Sequence, residues 1–198
     1  MIRRIALSLM AFACGTAVLL AGDQPQWGQK HSRNMISDEK GVFDGFDVDD
    51  SGPKGVKWTA RLGSITYATP VVAEGKVLIG TNNKNPRDDR HQGDRGVLMC
   101  FNEADGKYLW QLMVPKLKSV RYGDWHYCGI SSSPVVEDSR VYITSNRCEV
   151  LCLDINGLAD GNAGPYLDEG QHMAAPGKEA FKALKTDADI IWRFDMKA

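Results

Sequence analysis

Ser131 to Asp154 reads SSSPVVEDSRVYITSNRCEVLCLD, three short apolar and β-branched runs broken at Glu137-Asp138 and at Asn146-Arg147. Runs of this length between turn residues predict β-strands. The pattern has an earlier copy, ATPVVAEGKVLIG from Ala68 and VLMCFN from Val97. Aligning Pro70 with Pro134 sets the two copies in register at an offset of 64, Val77 on Val141. The third strand aligns at an offset of 52, Cys100 on Cys152, because the first copy has a longer polar connection, NKNPRDDRHQGDRG. A fourth strand ends at Trp110 (YLW) and at Trp192 (IIW), offset by 82, so the second copy holds about 30 extra residues between Asn156 and Asp187. Surface turns accept such insertions at little entropic cost. The repeated unit is a four-stranded antiparallel meander.

Strands such as VLIG, VYIT and VLCL are apolar on both sides, so one such sheet must be stacked between others, as in a β-propeller. In EADGKYLW, Asp105-Gly106 supplies a tight turn and Trp110 can wedge against the next sheet. This pattern of PVV, short turn, aliphatic strand, alternating strand, DGK turn and Trp resembles the pyrroloquinoline-quinone-like (PQQ-like) propeller repeat. QPQWGQ, GVKWTARLGS, GISSSPVV and SNRCEV are similar to exported bacterial members of planctomycete type. The fold class expected is all-β, an incomplete propeller of about two four-stranded antiparallel blades plus one N-terminal closing strand. The divisions are a signal peptide (1–22), an N-terminal extension (23–55), the closing-blade strand (56–62), a first blade (64–114) and a second (129–196) with its insertion (156–187). Trp58, Trp110 and Trp192 are the expected blade-packing residues. Propellers usually have about four to eight blades, so the sequence reads as a truncated member whose partners are the remaining blades or another protein.

Charge is nearly balanced, 24 Lys plus Arg against 25 Asp plus Glu, which offers no field for nucleic acid or anionic lipid. Arg3 and Arg4 precede an uncharged run from Ile5 to Gly22 and then the polar DQPQWGQK, the layout of an export signal. The run also meets the lower limit of about 17 apolar residues for a membrane anchor. Ala21 and Gly22 favour cleavage, leaving no membrane span in a periplasmic or cell-surface protein. Lipid attachment at Cys14 is the second reading, and it would strand TAVLL after the cut.

Cys100, Cys128, Cys148 and Cys152 follow the signal. Cys148 and Cys152 share a strand face roughly 13 Å apart and cannot bond to each other. Cys128 and Cys148, both toward one end of the second sheet, are the candidate disulfide. Cys100 and Cys152 are expected as buried free thiols. No CxxC is present to suggest zinc or thioredoxin-type chemistry.

Asp47 to Gly52 resembles the opening of a calcium loop, but its twelfth position is Trp58 where a bidentate Glu is needed. Asp154, Asn156, Asp160 and Asn162 could gather around a cation, though Asx-Gly turns explain them equally. RYGDWHYCG, from Arg121 to Gly129, is the densest polar-aromatic cluster, with Asp124, His126, Tyr127 and Cys128 as acid-base or ligand groups and Trp125 as a stacking platform. His31, His91 and His172 read as solvated. Connection geometry in an up-and-down blade puts 83–96 and 115–129 at one end, making Arg87, Arg90, His91, Arg121, Asp124, Trp125, His126 and Tyr127 the candidate ligand-binding face. The same rule puts the insertion at the opposite end. Within the insertion, Ala180, Phe181 and Leu184 have helical spacing, with Phe181 packed on the blade.

The resembled dehydrogenases imply a calcium ion, a tryptophan floor under the quinone, a catalytic Asp and often two adjacent cysteines. This chain has no adjacent cysteine pair and no identifiable calcium cage. No catalytic residue, metal or cofactor is therefore assigned to it; the resemblance leaves PQQ and calcium open only for a longer parent. The expected function is an exported non-catalytic scaffold or interaction module, carbohydrate being one ligand class it could face. The alternative is a fragment of a periplasmic PQQ-dependent oxidoreductase.

Overall fold

A computed structural model describes residues 22–47, 54–117 and 124–197. The signal and Cys14 readings, most of the calcium-like loop and Arg121 lie outside the described residues. The chain is mostly β, in two four-stranded antiparallel sheets. The first runs β1 (Val71–Ala73), β2 (Lys76–Asn82), β3 (Arg95–Asn102), β4 (Tyr108–Pro115). The second runs β5 (Val135–Glu137), β6 (Arg140–Thr144), β7 (Glu149–Asp154), β8 (Ile190–Asp195). Each is a meander whose spatial order equals its chain order.

The sequence repeat is also a repeat of register. Val71 pairs with Leu78 in the first sheet and Val135 with Tyr142 in the second. Cys100 pairs with Trp110 and Cys152 with Trp192, and both ladders slip immediately after the cysteine. The β1–β2 hairpin turns through Glu74 and Gly75 at φ 52° and 71°; the β5–β6 hairpin turns through Asp138 and Ser139 at 50° and 59°. Two successive positive φ values fit the right-handed twist of the strands, and Ser139 has no glycine's freedom to adopt one. Glu74 of the first turn holds it there, accepting from Ser139 N at 3.1 Å and from its Oγ at 2.8 Å.

Between the sheets lies one apolar layer: Leu78, Leu98, Trp110 and Leu112 from the first against Val141, Ile143, Leu151, Leu153 and Ile190 from the second. A second layer, Val97, Met99, Phe101 and Met113, sits on the first sheet's far face. It is covered by Trp58, Ala60 and Leu62 and by Met173 and Phe181 of the insertion. Residues 56–62, expected as a closing-blade strand, form no strand and have no ladder partner among the described residues; Trp58, Ala60 and Leu62 cover the sheet through their side chains. Near the start of the described chain, Gln24 bridges Val72 and the Pro25 carbonyl accepts from Val136 N at 2.7 Å, so this segment spans β1 and β5.

Trp58 and Trp110 share one geometry. Trp58 Nε1–H donates to the Glu103 carbonyl at 2.8 Å, and Trp110 Nε1–H donates to the Ile155 carbonyl at 3.0 Å, each 45 residues onward. A Cβ on Gly106 would lie 2.6 Å from the Trp58 ring, and one on Gly157 would lie 2.8 Å from Trp110. Both glycines have positive φ, so each corner is shaped to receive an indole from an earlier part of the chain.

The insertion differs from expectation. Its helix is α1 (Glu169–Met173), not a turn around Ala180 to Leu184. There the chain is irregular, because Phe181 N–H is taken by the Gly170 carbonyl at 3.0 Å and its ring by the second apolar layer. Long-range contacts override the local periodicity. The strap then lies along β4, Gln111 N–H donating to Thr186 O at 3.0 Å and Gln111 O accepting from Ala188 N–H at 2.9 Å.

Candidate functional site

The β2–β3 loop is a set of tight turns held from within. Asn83 Nδ2 donates to His91 O at 2.8 Å, Arg90 N donates to Asp88 Oδ1 at 2.9 Å, and His91 N donates to Asp88 O at 3.1 Å. Arg87 lies over the Tyr108 and Phe101 rings at 5.0 and 5.6 Å and donates to the Arg61 carbonyl at 2.5 Å, which makes it a cover for the second apolar layer. Arg90 is a three-way clamp: Nη2 meets Asp88 Oδ2 at 2.5 Å and Asp187 Oδ1 at 2.7 Å, while Nη1 donates to Lys182 O at 2.7 Å.

His91 is fully buried, with its ring edge-on to Phe181 at 4.5 Å. That corrects the solvated reading, and His172 is corrected likewise, being buried against Glu149. Burial pushes His91 down to about 4, which leaves the ring neutral near pH 7. Because Asp187 and Phe181 belong to the insertion, and Arg95 Nη1 donates to Met173 O at 2.8 Å, the insertion does not stay at its own end. The opposite-end assignment fails: a strap of this length reaches along the sheet edge and meets the β2–β3 loop.

The second half of the predicted face gathers around Asp124. This buried carboxylate accepts from Lys116 Nζ, from Leu117 N at 2.9 Å and from Asn146 Nδ2 at 3.2 Å, so its oxygens hold a corner together. Tyr127 N donates to Asp94 Oδ2 at 2.7 Å, joining this loop to the β2–β3 loop. His126 packs edge-on against Tyr127, and Lys84 lies 4.5 Å over the Tyr127 ring. Trp125 is 74 % exposed at the mouth of an open hollow of about 390 Å³ lined by Asp94, Lys116, Asp124 and His126. Of the residues expected on this face, Arg87, Arg90 and His91 are thus engaged with the sheet and strap, while Trp125 and His126 border open space. Lys116 was missed, as a lone lysine at a strand end gives no signal until Asp124 folds back on it.

The candidate disulfide between Cys128 and Cys148 is not formed in this structure. Cys128 and Cys148 are free thiols, and Cys128 Sγ lies 3.2 Å from Ser131 Oγ. Cys100 and Cys152 are buried free thiols, as expected, and burial pushes Cys100 up to about 12.

Sequence reasoning also missed a buried ionic group. Glu149, with no exposure, accepts from Arg193 Nη1 at 2.9 Å and from Ser145 Oγ at 3.2 Å, and His172 Nε2 faces it at 3.2 Å. Burial alone would raise its pKa; the His172 hydrogen bond and nearby Arg147 outweigh that and hold it at about 2. A signal was there: Glu149 shares the inward face of its strand with Leu151 and Leu153.

No protein-family model matches the chain, and no curated protein does.

Proposed function

We propose that the protein is an exported, non-catalytic scaffold of the PQQ-like propeller class, a stacking unit that accepts a further four-stranded sheet of the same repeat on β8. The observation that carries this reading is an asymmetry between equivalent positions. Trp110, Leu112 and Val114 are 1 %, 2 % and 0 % exposed, whereas Trp192, Phe194 and Met196 are 41 %, 62 % and 48 % exposed. Uncovered apolar residues clustered on one strand mark an interaction surface. The indole hydrogen bonds support a further sheet as its occupant, since Trp58 and Trp110 each donate to a corner carbonyl of a sheet that follows them in the chain. Among the described residues no carbonyl receives Trp192. The Trp125 hollow is the face left for a polar ligand such as a carbohydrate, to which an exposed indole offers a stacking platform.

The test joins a further copy of residues 129–197 after Lys197 and maps side-chain oxidation by hydroxyl radicals. Trp192, Phe194 and Met196 of the original copy should be oxidised readily in the protein alone and protected in the extended one, with Trp110 protected in both. Equal oxidation of Trp192 in the two proteins would overturn the reading.

A further inference from the structure

We propose that Asp88, His91 and Asp187 form a site for a divalent transition-metal ion of the zinc type, in which Arg90 is the resident cation that the metal displaces. One oxygen of each carboxylate and one ring nitrogen of His91 lie within 4.8 Å of one another. Asp88 and His91 stand three residues apart across a tight turn, and Asp187 comes from the strap, so the site staples two separate elements.

The imidazole points to a ligand independently of the two acids. His91 is completely buried, and neither Nδ1 nor Nε2 has a hydrogen-bond partner among the described residues. A buried polar group left unsatisfied is costly, and Arg90 does not relieve this one, because all its contacts go to the two carboxylates and the Lys182 carbonyl. A metal ion would be a Lewis acid for the imidazole lone pair and a counter-charge for both carboxylates together.

Charge and access allow the exchange. The two carboxylates carry two negative charges against the single charge of Arg90, and Arg95 is turned to the carbonyls of Gln92 and Met173. Asp187 is buried, but the Arg90 and Asp88 side chains retain 22 % and 20 % exposure, so the guanidinium can swing outward and leave an entry path. Ligand bonds of about 2.0–2.2 Å require the three groups to draw together by roughly 1 Å, within reach of side-chain rotation. Nitrogen plus two carboxylates suits zinc or its first-row neighbours, with an open position left for water.

The test titrates the full chain with Zn²⁺ by calorimetry and with Co²⁺ by absorption, after chelator treatment. One Zn²⁺ per chain is expected, with a Co²⁺ spectrum free of thiolate charge-transfer bands. Arg90→Gln, which removes the competitor, should bind roughly tenfold more tightly, and His91→Gln should lose binding while far-UV circular dichroism confirms its fold. The proposal is overturned if the wild type takes up no stoichiometric Zn²⁺, if the Co²⁺ spectrum shows thiolate ligation, or if His91→Gln binds as the wild type does. Tightening in Arg90→Gln is the decisive sign, since a merely structural Arg90 would not compete with metal.

Discussion

At the scale of single residues, Glu149 is a fully buried charge held by Arg193, Ser145 and His172. Its native pKa of about 2 lies below the ordinary 4.5, so the folded state binds its proton less readily than the unfolded chain does. The resulting stability is fully present above about pH 4.5 and is lost as the pH falls toward 2. Glu149→Gln should therefore flatten the acid limb of a Tm-against-pH curve in this window. At neutral pH it should cost roughly 3 kcal/mol, because Arg193 loses its anionic partner and an amide NH2 replaces one of the two oxygens that face Arg193 and His172. An acid limb as steep as that of the wild type would show that other carboxylates carry the acid sensitivity. Inward-facing Glu149 was legible in the strand's alternation; its partner His172 was not, since it lies in an insertion whose path no local pattern encodes.

At the scale of elements, the strap between β7 and β8 is the least repetitive part of the fold. It is held by Phe181 in the second apolar layer, by Arg90 on Asp187 and by main-chain bonds to Gln111. Phe181→Ala removes the apolar anchor while leaving the ionic clamp. Hydrogen exchange across 169–187 should rise about tenfold, a loss of roughly 1.4 kcal/mol of local stability, with the β6–β7 amides unchanged. Unchanged exchange in 169–187 would mean that the clamp suffices alone. The sequence places Phe181 on a packed surface correctly but assigns its neighbours to a helix. That failure has a plain cause: Gly170 and Phe181 come so close that a Cβ on Gly170 would sit 1.9 Å from the Phe181 carbonyl oxygen, and this crossing leaves no room for a helical turn.

At the scale of the whole molecule, the equivalent tryptophans ought to differ in energy although they match in sequence. Trp110 binds one sheet to the next through a buried ring and an indole hydrogen bond, so Trp110→Ala should cost about 3–5 kcal/mol in denaturant unfolding. Trp192 faces Tyr142 within its own sheet, ring centroids 6.2 Å apart, and is 41 % exposed. Trp192→Ala should cost less than about 1 kcal/mol in this chain. Comparable losses at both positions would show that the first sheet's packing rule does not extend to the second.

What the sequence alone determined is the repeated unit: the strands, their pairing order, the equivalence of Cys100 with Cys152 and the spacing of the tryptophans. These rest on period-two alternation and turn chemistry, which are local and survive in any context. Only the tertiary structure decided which histidines are buried, which acids are clamped and where the strap runs. His91 reads as a polar loop residue until Phe181, 90 positions later, closes over it. Burial depends on what the rest of the chain brings to a residue, and a long insertion has many paths of similar local cost. Packing against the first sheet's far face, by Met173 and Phe181, is what selects among them.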